Sequence, residues 1–369
     1  MTESVFQRCD DLGPARVLHI YEPSTKLKAI LVVDNTAAGP AIGGVRMAAD
    51  VSLQECMRLA RAMTYKNAAA GLPHGGGKAV IFADPNLDID KKEKLLRCFA
   101  QAIGPIQDFI VGPDMGTDET AMAWVHDEIG RAVGLPREIG GIPLDEIGAT
   151  GAGLVSAAEV ACAWLKFDLA GARVAIQGFG SVGKNAARFL AEKGAIIVAV
   201  ADSRGTLHDP AGLDVSQLIE LKSRGAHVVD SRSGIQLAGE AIIGIDCDIL
   251  IPAARPDVIR GDNADDVKAR LILQGANIGV TEEAEASLHD RGVVCIPDFI
   301  SNAGGVICAA AEYHGRSQSQ ALETIDEKIR TNVAEVLERA SRKGLLPRAA
   351  ANAMAEERIR TAMQFRRWH

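Results

Sequence analysis

Three residues of this chain are well suited to proton chemistry: Lys66, Lys78 twelve residues later, and Asp114 in a tight Gly/Pro turn. Lys78 follows three glycines in "GLPHGGGKAVIF" and leads into an apolar run, so its amine can lie against backbone, out of bulk water. Desolvation disfavours the ammonium form and lowers the pKa, which is how a lysine becomes a general base near neutral pH. Lys66 sits near the end of a helical stretch, where a second cation would depress that pKa further and offer a seat to a carboxylate. The turn "GPDMGT" can hold the Asp114 carboxylate as a proton-transfer partner, whereas Asp118 in "TDET" reads as the charge that opens a helix. Plainer readings compete. A lysine taken alone is more often a solvated surface charge, and glycines before a lysine suggest a phosphate loop. The phosphate loop fails on spacing: G-x-x-x-x-G-K-[ST] needs glycine where Leu72 stands and a hydroxyl residue where Ala79 stands.

A second constellation lies in "IQGFGSVG", where Gly178, Gly180, Ser181, Val182 and Gly183 form a G-x-G-x-x-G turn between an apolar strand and a helix. The first glycine allows the turn, the second lets backbone approach a pyrophosphate, and the third lets the helix pack on the strand. Asp202 ends the next apolar strand nineteen residues after Gly183, close to the spacing expected of an acid that binds a ribose. The alternative is a glycine turn with no ligand. Asp202 favours NAD, because a carboxylate repels a 2′-phosphate; Ser203 and Arg204 follow at once and keep NADP compatible.

The elements that must carry these residues read as α/β. The chain has 369 residues, enough for two domains, with 47% hydrophobic residues and a net charge of −8. That charge argues against nucleic acid or an anionic membrane as partner. Seven dispersed cysteines with no CxxC read as reduced thiols, and the eight histidines form no ligand spacing, so no metal site is expected. No apolar run reaches the length of a membrane span, and the N-terminus lacks a signal pattern, so the expected location is cytoplasmic. Leu27–Thr36 reads as a strand, and Ser52–Gly71 as a helix capped by Ser52 with Glu55 in capping-box position. "GGIPLDEIGAT" reads as a boundary, beyond which repeated β-α units imply a parallel sheet covered on both faces. From about residue 318 the chain reads as helical.

In order along the chain, "GPAIGGVRM", "MTYKNAAAGLPHGGGKAV", "GPDMGT", "GATGAG", "GFGSVG" and "SNAGGV" resemble the glutamate/leucine/phenylalanine/valine dehydrogenase superfamily over nearly the whole length. The resemblance implies an N-terminal α/β substrate and oligomerisation domain (1–140 with 340–369) and a Rossmann-type NAD(P) domain (141–339), with the active-site cleft between. It implies Lys78 as the base that activates water and Asp114 as the proton-exchange partner of the amino group. Lys66, with Gly43 and Gly44, would hold the substrate α-carboxylate. Thr150 would meet the nicotinamide carboxamide, and Asn277 would lie near the nicotinamide ribose. Members of the family are usually homo-oligomers, and one is expected here.

The same resemblance offers a test of substrate. Glutamate dehydrogenases carry a lysine just before the first glycine pair, and this chain has Ile42 there. They tend to carry a serine three residues past the valine of "NAGGV", and this chain has Ala309. A γ-carboxylate against Ile42, Val306 and Ala309 would lack its counter-charge, at a cost of several kcal/mol. With Met63 nearby as an adaptable neighbour, the wall suits an apolar side chain. The expected reaction is therefore oxidative deamination of a leucine-, valine-, phenylalanine- or tryptophan-type L-amino acid to the 2-oxo acid and ammonium, and its reverse. "PLDEIGATG" and "VADSRGTLHDPAGLD" look more like glutamate dehydrogenases, which keeps that enzyme as an alternative beside a non-catalytic regulatory homologue.

Overall fold

The computed structural model describes residues 5–366, which fall into two compact units. The first comprises the chain up to Pro143, Val306–Ala321 and the segment from Met354 onward; the second comprises Leu144–Gly305 and Leu322–Ala353. These limits differ from the expected ones chiefly in two places: Val306–Ala321 joins the first unit, and residues 340–353 stay with the second.

In the first unit the elements run β1 (Arg16–Glu22), β2 (Leu27–Asn35), β3 (Ala41–Ala48), α1 (Leu53–Ala69), β4 (Gly75–Phe82), α2 (Ile89–Ile103), β5 (Phe109–Pro113) and α3 (Glu119–Ile129). The sheet order is β1-β2-β4-β3-β5, with β4, β3 and β5 parallel and β1 and β2 antiparallel additions. β2 is buried at almost every position, which a strand covered on both faces requires, and Leu31, Val33, Val45 and Ile81 pack with Leu96 and Phe99 of α2 in one core. Ser52 caps α1 by accepting from the Glu55 N–H at 3.1 Å, while the Glu55 carboxylate takes the Arg46 guanidinium. Asp118 caps α3 through the Ala121 N–H at 2.9 Å, a local structural task as its sequence context suggests.

The second unit begins with α4 (Ala149–Trp164), β6 (Arg173–Gln177), α5 (Ser181–Glu192), β7 (Ile196–Asp202), β8 (Gly205–His208), α6 (Val215–Ser223) and β9 (Ile235–Leu237). It continues through β10 (Ile249–Pro252), β11 (Leu271–Leu273), α7 (Glu282–Asp290), β12 (Val294–Ile296) and α8 (Asp298–Ser301). Its seven-stranded sheet has the order β12-β11-β10-β6-β7-β8-β9. The five strands from β12 to β7 are parallel, the doubly wound arrangement expected of the β-α repeats, and β8 and β9 add an antiparallel edge. The unit boundaries then fall inside the last three helices, α9 (Gly304–Tyr313), α10 (Gln318–Lys343) and α11 (Pro347–Met363). Among the described residues no helix is long and apolar enough to cross a membrane.

Candidate active site

In the first unit, Lys78 lies in the middle of β4 and is only 4% exposed. Its Nζ is 2.9 Å from Oδ1 of Asp114, which directly follows β5. The turn that presents Asp114 is tied by Thr117, whose Oγ1 accepts from the Asp114 N–H at 2.9 Å and donates to the Val45 carbonyl at 2.8 Å. The cluster extends to neighbours on β3 and α1: Asp114 Oδ2 accepts from Arg46 Nε of β3 at 2.7 Å, and Arg46 also binds Glu55 of α1. Burial pushes the Lys78 pKa below the ordinary lysine value, with Asp114 opposing and Arg46 assisting. Burial works to raise the Asp114 pKa, but Lys78 and Arg46 outweigh it and hold the group below the usual carboxylate range. The pair therefore combines an amine that gives up its proton readily with a carboxylate that stays ionised.

The glycines are there because backbone must pass close by. A Cβ on Gly76 would lie 2.0 Å from the Thr64 backbone nitrogen, so α1 rests directly on β4 at this point. A Cβ on Gly44 would sit 2.8 Å from the Asp114 Cβ and 3.2 Å from Lys78 Nζ, which puts the second glycine of the "GG" pair beside the ion pair. Gly43 faces the other way, against the Gly77 carbonyl. Ile42 is 3% exposed on β3, next to Gly76 and Ile110 in the sheet register. Lys66 and Met63 are half-buried on α1, and Val306 and Ala309 are half-buried about one turn apart on α9 within the same unit.

In the second unit the G-x-G-x-x-G turn has the geometry its glycines imply. Gly178 adopts φ +103°, and Gly183 packs so tightly that a Cβ would meet the Gly178 carbonyl at 1.8 Å. Gly180 has open space where its Cβ would be, the approach a pyrophosphate needs. A cavity of about 980 Å³ opens over this turn, lined by Gly178, Gly180, Ser181, Val182, Asp202, Ser203 and Lys222, with Arg255 and Arg260 on its wall. Glycine backbone, a helix N-terminus at Ser181 and three cations fit a dinucleotide's anionic centre. Ser181 donates to Asp145 at 3.1 Å.

Asp202 is more heavily engaged than a ribose-binding acid requires. Its Oδ1 accepts from the Arg204 N–H at 2.9 Å; its Oδ2 accepts from Lys222 Nζ at 2.9 Å and the Val228 N–H at 3.0 Å, with His227 Nδ1 at 3.3 Å. Burial would raise its pKa, but these donors bring it down to about 2. Elsewhere in this unit "GATGAG" and "SNAGG" meet: a Cβ on Gly304 would lie 2.1 Å from the Ala149 carbonyl, and one on Gly305 would lie 3.6 Å from Thr150 Oγ1. Asn277 is exposed and accepts from Asn302 at 2.9 Å.

Sequence reasoning gave no role to several residues that organise these sites. Arg46 was visible in "GPAIGGVRM", and strand alternation puts it on the same side of β3 as Gly44, yet its partner lies 68 positions away. Asn67 ties α1 to β4 through the Gly75 carbonyl at 2.7 Å. Glu312 on α9 accepts from the N–H groups of Gly134, Leu135 and Ile142, fixing an irregular loop. Among the described residues no group of three or more His, Cys, Asp or Glu side chains could hold a metal ion, and the seven cysteines are free thiols.

A doubly wound dinucleotide-type unit, with a separate α/β unit carrying a buried lysine–aspartate pair, defines a dehydrogenase architecture. The model of the "Glutamate/Leucine/Phenylalanine/Valine dehydrogenase" family matches residues 140–367, and that of its "dimerisation domain" matches residues 16–131. The chain belongs to this family of amino acid dehydrogenases. A curated relative, the NADP(+)-dependent glutamate dehydrogenase of Pyrobaculum calidifontis, is 37% identical over 91% of this chain and 86% of its own. Among solved structures, hetero-hexameric glutamate dehydrogenase from Thermus thermophilus in a leucine-bound form matches with TM-score 0.83 at 32% identity, covering 95% of this chain and 90% of that one. L-tryptophan dehydrogenase from Nostoc punctiforme matches with TM-score 0.78 at 26% identity, covering 97% and 99%.

Proposed function

We propose that the protein is a cytoplasmic homo-oligomer that oxidatively deaminates an apolar L-amino acid of the leucine, valine, phenylalanine or tryptophan type, with NAD as cofactor and NADP compatible. It also runs the reverse reductive amination. The observation that carries the reading is the buried Lys78–Asp114 pair beside Gly44, at 2.9 Å. A dinucleotide held over Gly178, Gly180 and Gly183 would supply, at its nicotinamide, the acceptor for the hydride that leaves the substrate Cα. Lys66, with the Gly43–Gly44 backbone, holds the α-carboxylate. Asp114 exchanges protons with the amino nitrogen as the C–N single bond becomes an imine. Lys78, acting in its neutral form, which burial favours, removes a proton from the water that attacks the imine carbon, and collapse of the adduct releases ammonium and the 2-oxo acid.

The apolar class rests on Ile42, which stands where glutamate enzymes carry a lysine, and on Ala309 in place of a hydroxyl. Tryptophan dehydrogenase among the structural neighbours agrees with such a wall. Glutamate is the second reading, favoured by the names of the Pyrobaculum and Thermus relatives. For the cofactor, Asp202 argues for NAD, whereas Lys222 beside it and the NADP(+)-dependent relative support use of NADP. A panel of amino acids, each tested with NAD and NADP by following cofactor reduction, decides between the readings. Leucine, valine, phenylalanine or tryptophan should be turned over with kcat/KM well above that of glutamate. Equal or better turnover of glutamate overturns the apolar assignment.

A further inference from the structure

Arg46 reaches into the cluster from β3 and bridges two acids. Its Nε donates to Oδ2 of Asp114 at 2.7 Å, while its Nη1 binds Oε1 of Glu55 on α1. Because Oδ2 is thus occupied, Oδ1 is the oxygen left to face Lys78 Nζ, at 2.9 Å. The guanidinium is one-fifth exposed, and its planar fork fixes the carboxylate's rotation as well as its charge. We infer that Arg46 is a positioning residue of the reaction, clamped by Glu55, which orients Asp114 toward Lys78 and sets how readily the Lys78 amine gives up its proton. The inference rests on the reading of Lys78 and Asp114 as the proton-handling pair.

The electrostatics follow from what surrounds the amine. Asp114 is its anion, and Arg46 of β3 is the cation that disfavours its charged form. From α1 come Glu55, which already serves Arg46, Lys66, and the Cys56 thiol, whose Sγ lies 3.3 Å from the Lys78 carbonyl. Burial pushes that thiol up to about 12, so it is neutral at working pH. Arg61, also on α1, binds Asp34 of β2, which in addition accepts from Thr64. Asp34 is therefore spoken for. The charged side chains that act most directly on Lys78 are thus its anion, Asp114, and Arg46, the cation that partly neutralises that anion. Remove Arg46, and Asp114 acts on Lys78 at full charge, so the ammonium form is favoured. Remove the charge of Glu55, and Arg46 acts more strongly, so the neutral amine is favoured. The two partners of one ion pair should shift the same titration in opposite directions.

The test is the pH profile of kcat/KM, whose limbs report the essential groups of the free enzyme. Arg46→Met should lower kcat/KM at neutral pH by about tenfold or more and move the acid limb to higher pH by about half a unit or more. Glu55→Gln should move the same limb to lower pH, and Arg46→Lys should restore most of the wild-type position with less of the rate, since it keeps charge without the fork. If Arg46→Met does not fold, Glu55→Gln and Arg46→Lys still carry the test. An acid limb that stays put, or one that both variants move in the same direction, overturns the inference. Lys78→Ala, run alongside, separates the two levels. If it stays active, the proton-handling reading fails; if it is inactive while the Arg46 and Glu55 variants leave the limb unmoved, only the role of Arg46 fails.

Discussion

Asp114 and Asp202 both stand at the ends of parallel strands, and each has a lysine 2.9 Å away, yet the two carboxylates are built for different ends. Around Asp202, two backbone N–H groups join Lys222 and His227, so the carboxylate is held from several sides and partly by amides that carry no ionisable proton. Around Asp114 both oxygens go to cationic side chains, and the lysine is more deeply buried than Lys222, at 6% against 20% side-chain exposure. The cost of burying that pair therefore falls on the lysine, whose protonated form is weakened. An Asp–Lys contact anchored by backbone suits a fixed surface. The same contact, stripped of backbone donors and with its lysine buried, suits the proton transfer proposed for Lys78 and Asp114.

The largest effect that would test this contrast is at the amine. Lys78→Ala should cut turnover by about a hundredfold or more while NAD binding, followed by fluorescence titration of the reduced cofactor, is kept. Activity retained above about a hundredth of wild type would remove Lys78 from the relay. Asp114→Asn comes next, with a loss of about tenfold to a hundredfold. Because Asp114 holds a proton on Lys78, its neutralisation should also shift the acid limb of the profile to lower pH; an upward shift would reverse the assigned polarity. At the wall, Ile42→Lys should raise kcat/KM for glutamate relative to leucine by about tenfold or more, and no change would mean that Ile42 does not meet the substrate. Asp202→Asn should have the smallest effect on rate, a several-fold weakening of cofactor binding, because its oxygens are already engaged. Its clearer signature is stability. The folded pKa of about 2 lies below the ordinary aspartate value of 3.8, so the carboxylate's contribution is present above pH ~4 and is lost as pH falls toward 2. The gap in Tm between wild type and Asp202→Asn should accordingly close over that window; a gap independent of pH would show that the group contributes no linked proton.

What could be read beforehand follows the reach of each interaction along the chain. The dinucleotide turn is a local affair, in which three glycines within six positions set strand, turn and helix, and the sequence pattern alone carries it. Ser52 and Asp118 as caps are equally local. Lys78 and Asp114 read from their contexts as groups suited to proton transfer, but with 36 positions between them the direct contact is visible only in the fold. Arg46 went unassigned for the same reason, although it stands two residues from Gly44. His74, whose ring nitrogen lies 3.0 Å from that of His314, is farther still from its partner, at 240 positions. Nothing in the pattern marks Arg348, buried with Glu285, Asp298 and Gln274, because mutual satisfaction of polar groups deep in a fold leaves no periodic trace. The antiparallel edge of β8 and β9 was hidden because strands of three or four residues lie below what alternation can resolve.

The near-contact of Gly76 with Thr64 bears finally on how such a chain can diversify. A Cβ at Gly76 would lie 2.0 Å from the Thr64 backbone nitrogen, so the spacing of α1 and β4 works as a fixed gauge, and any side chain there must push the two elements apart. Ile42, Met63, Val306 and Ala309 already carry side chains, and the proposed function places them at the substrate. Libraries directed at new side-chain preferences should be built at those four positions, leaving the glycines untouched, so that descendants can change what they accept without relearning how to react.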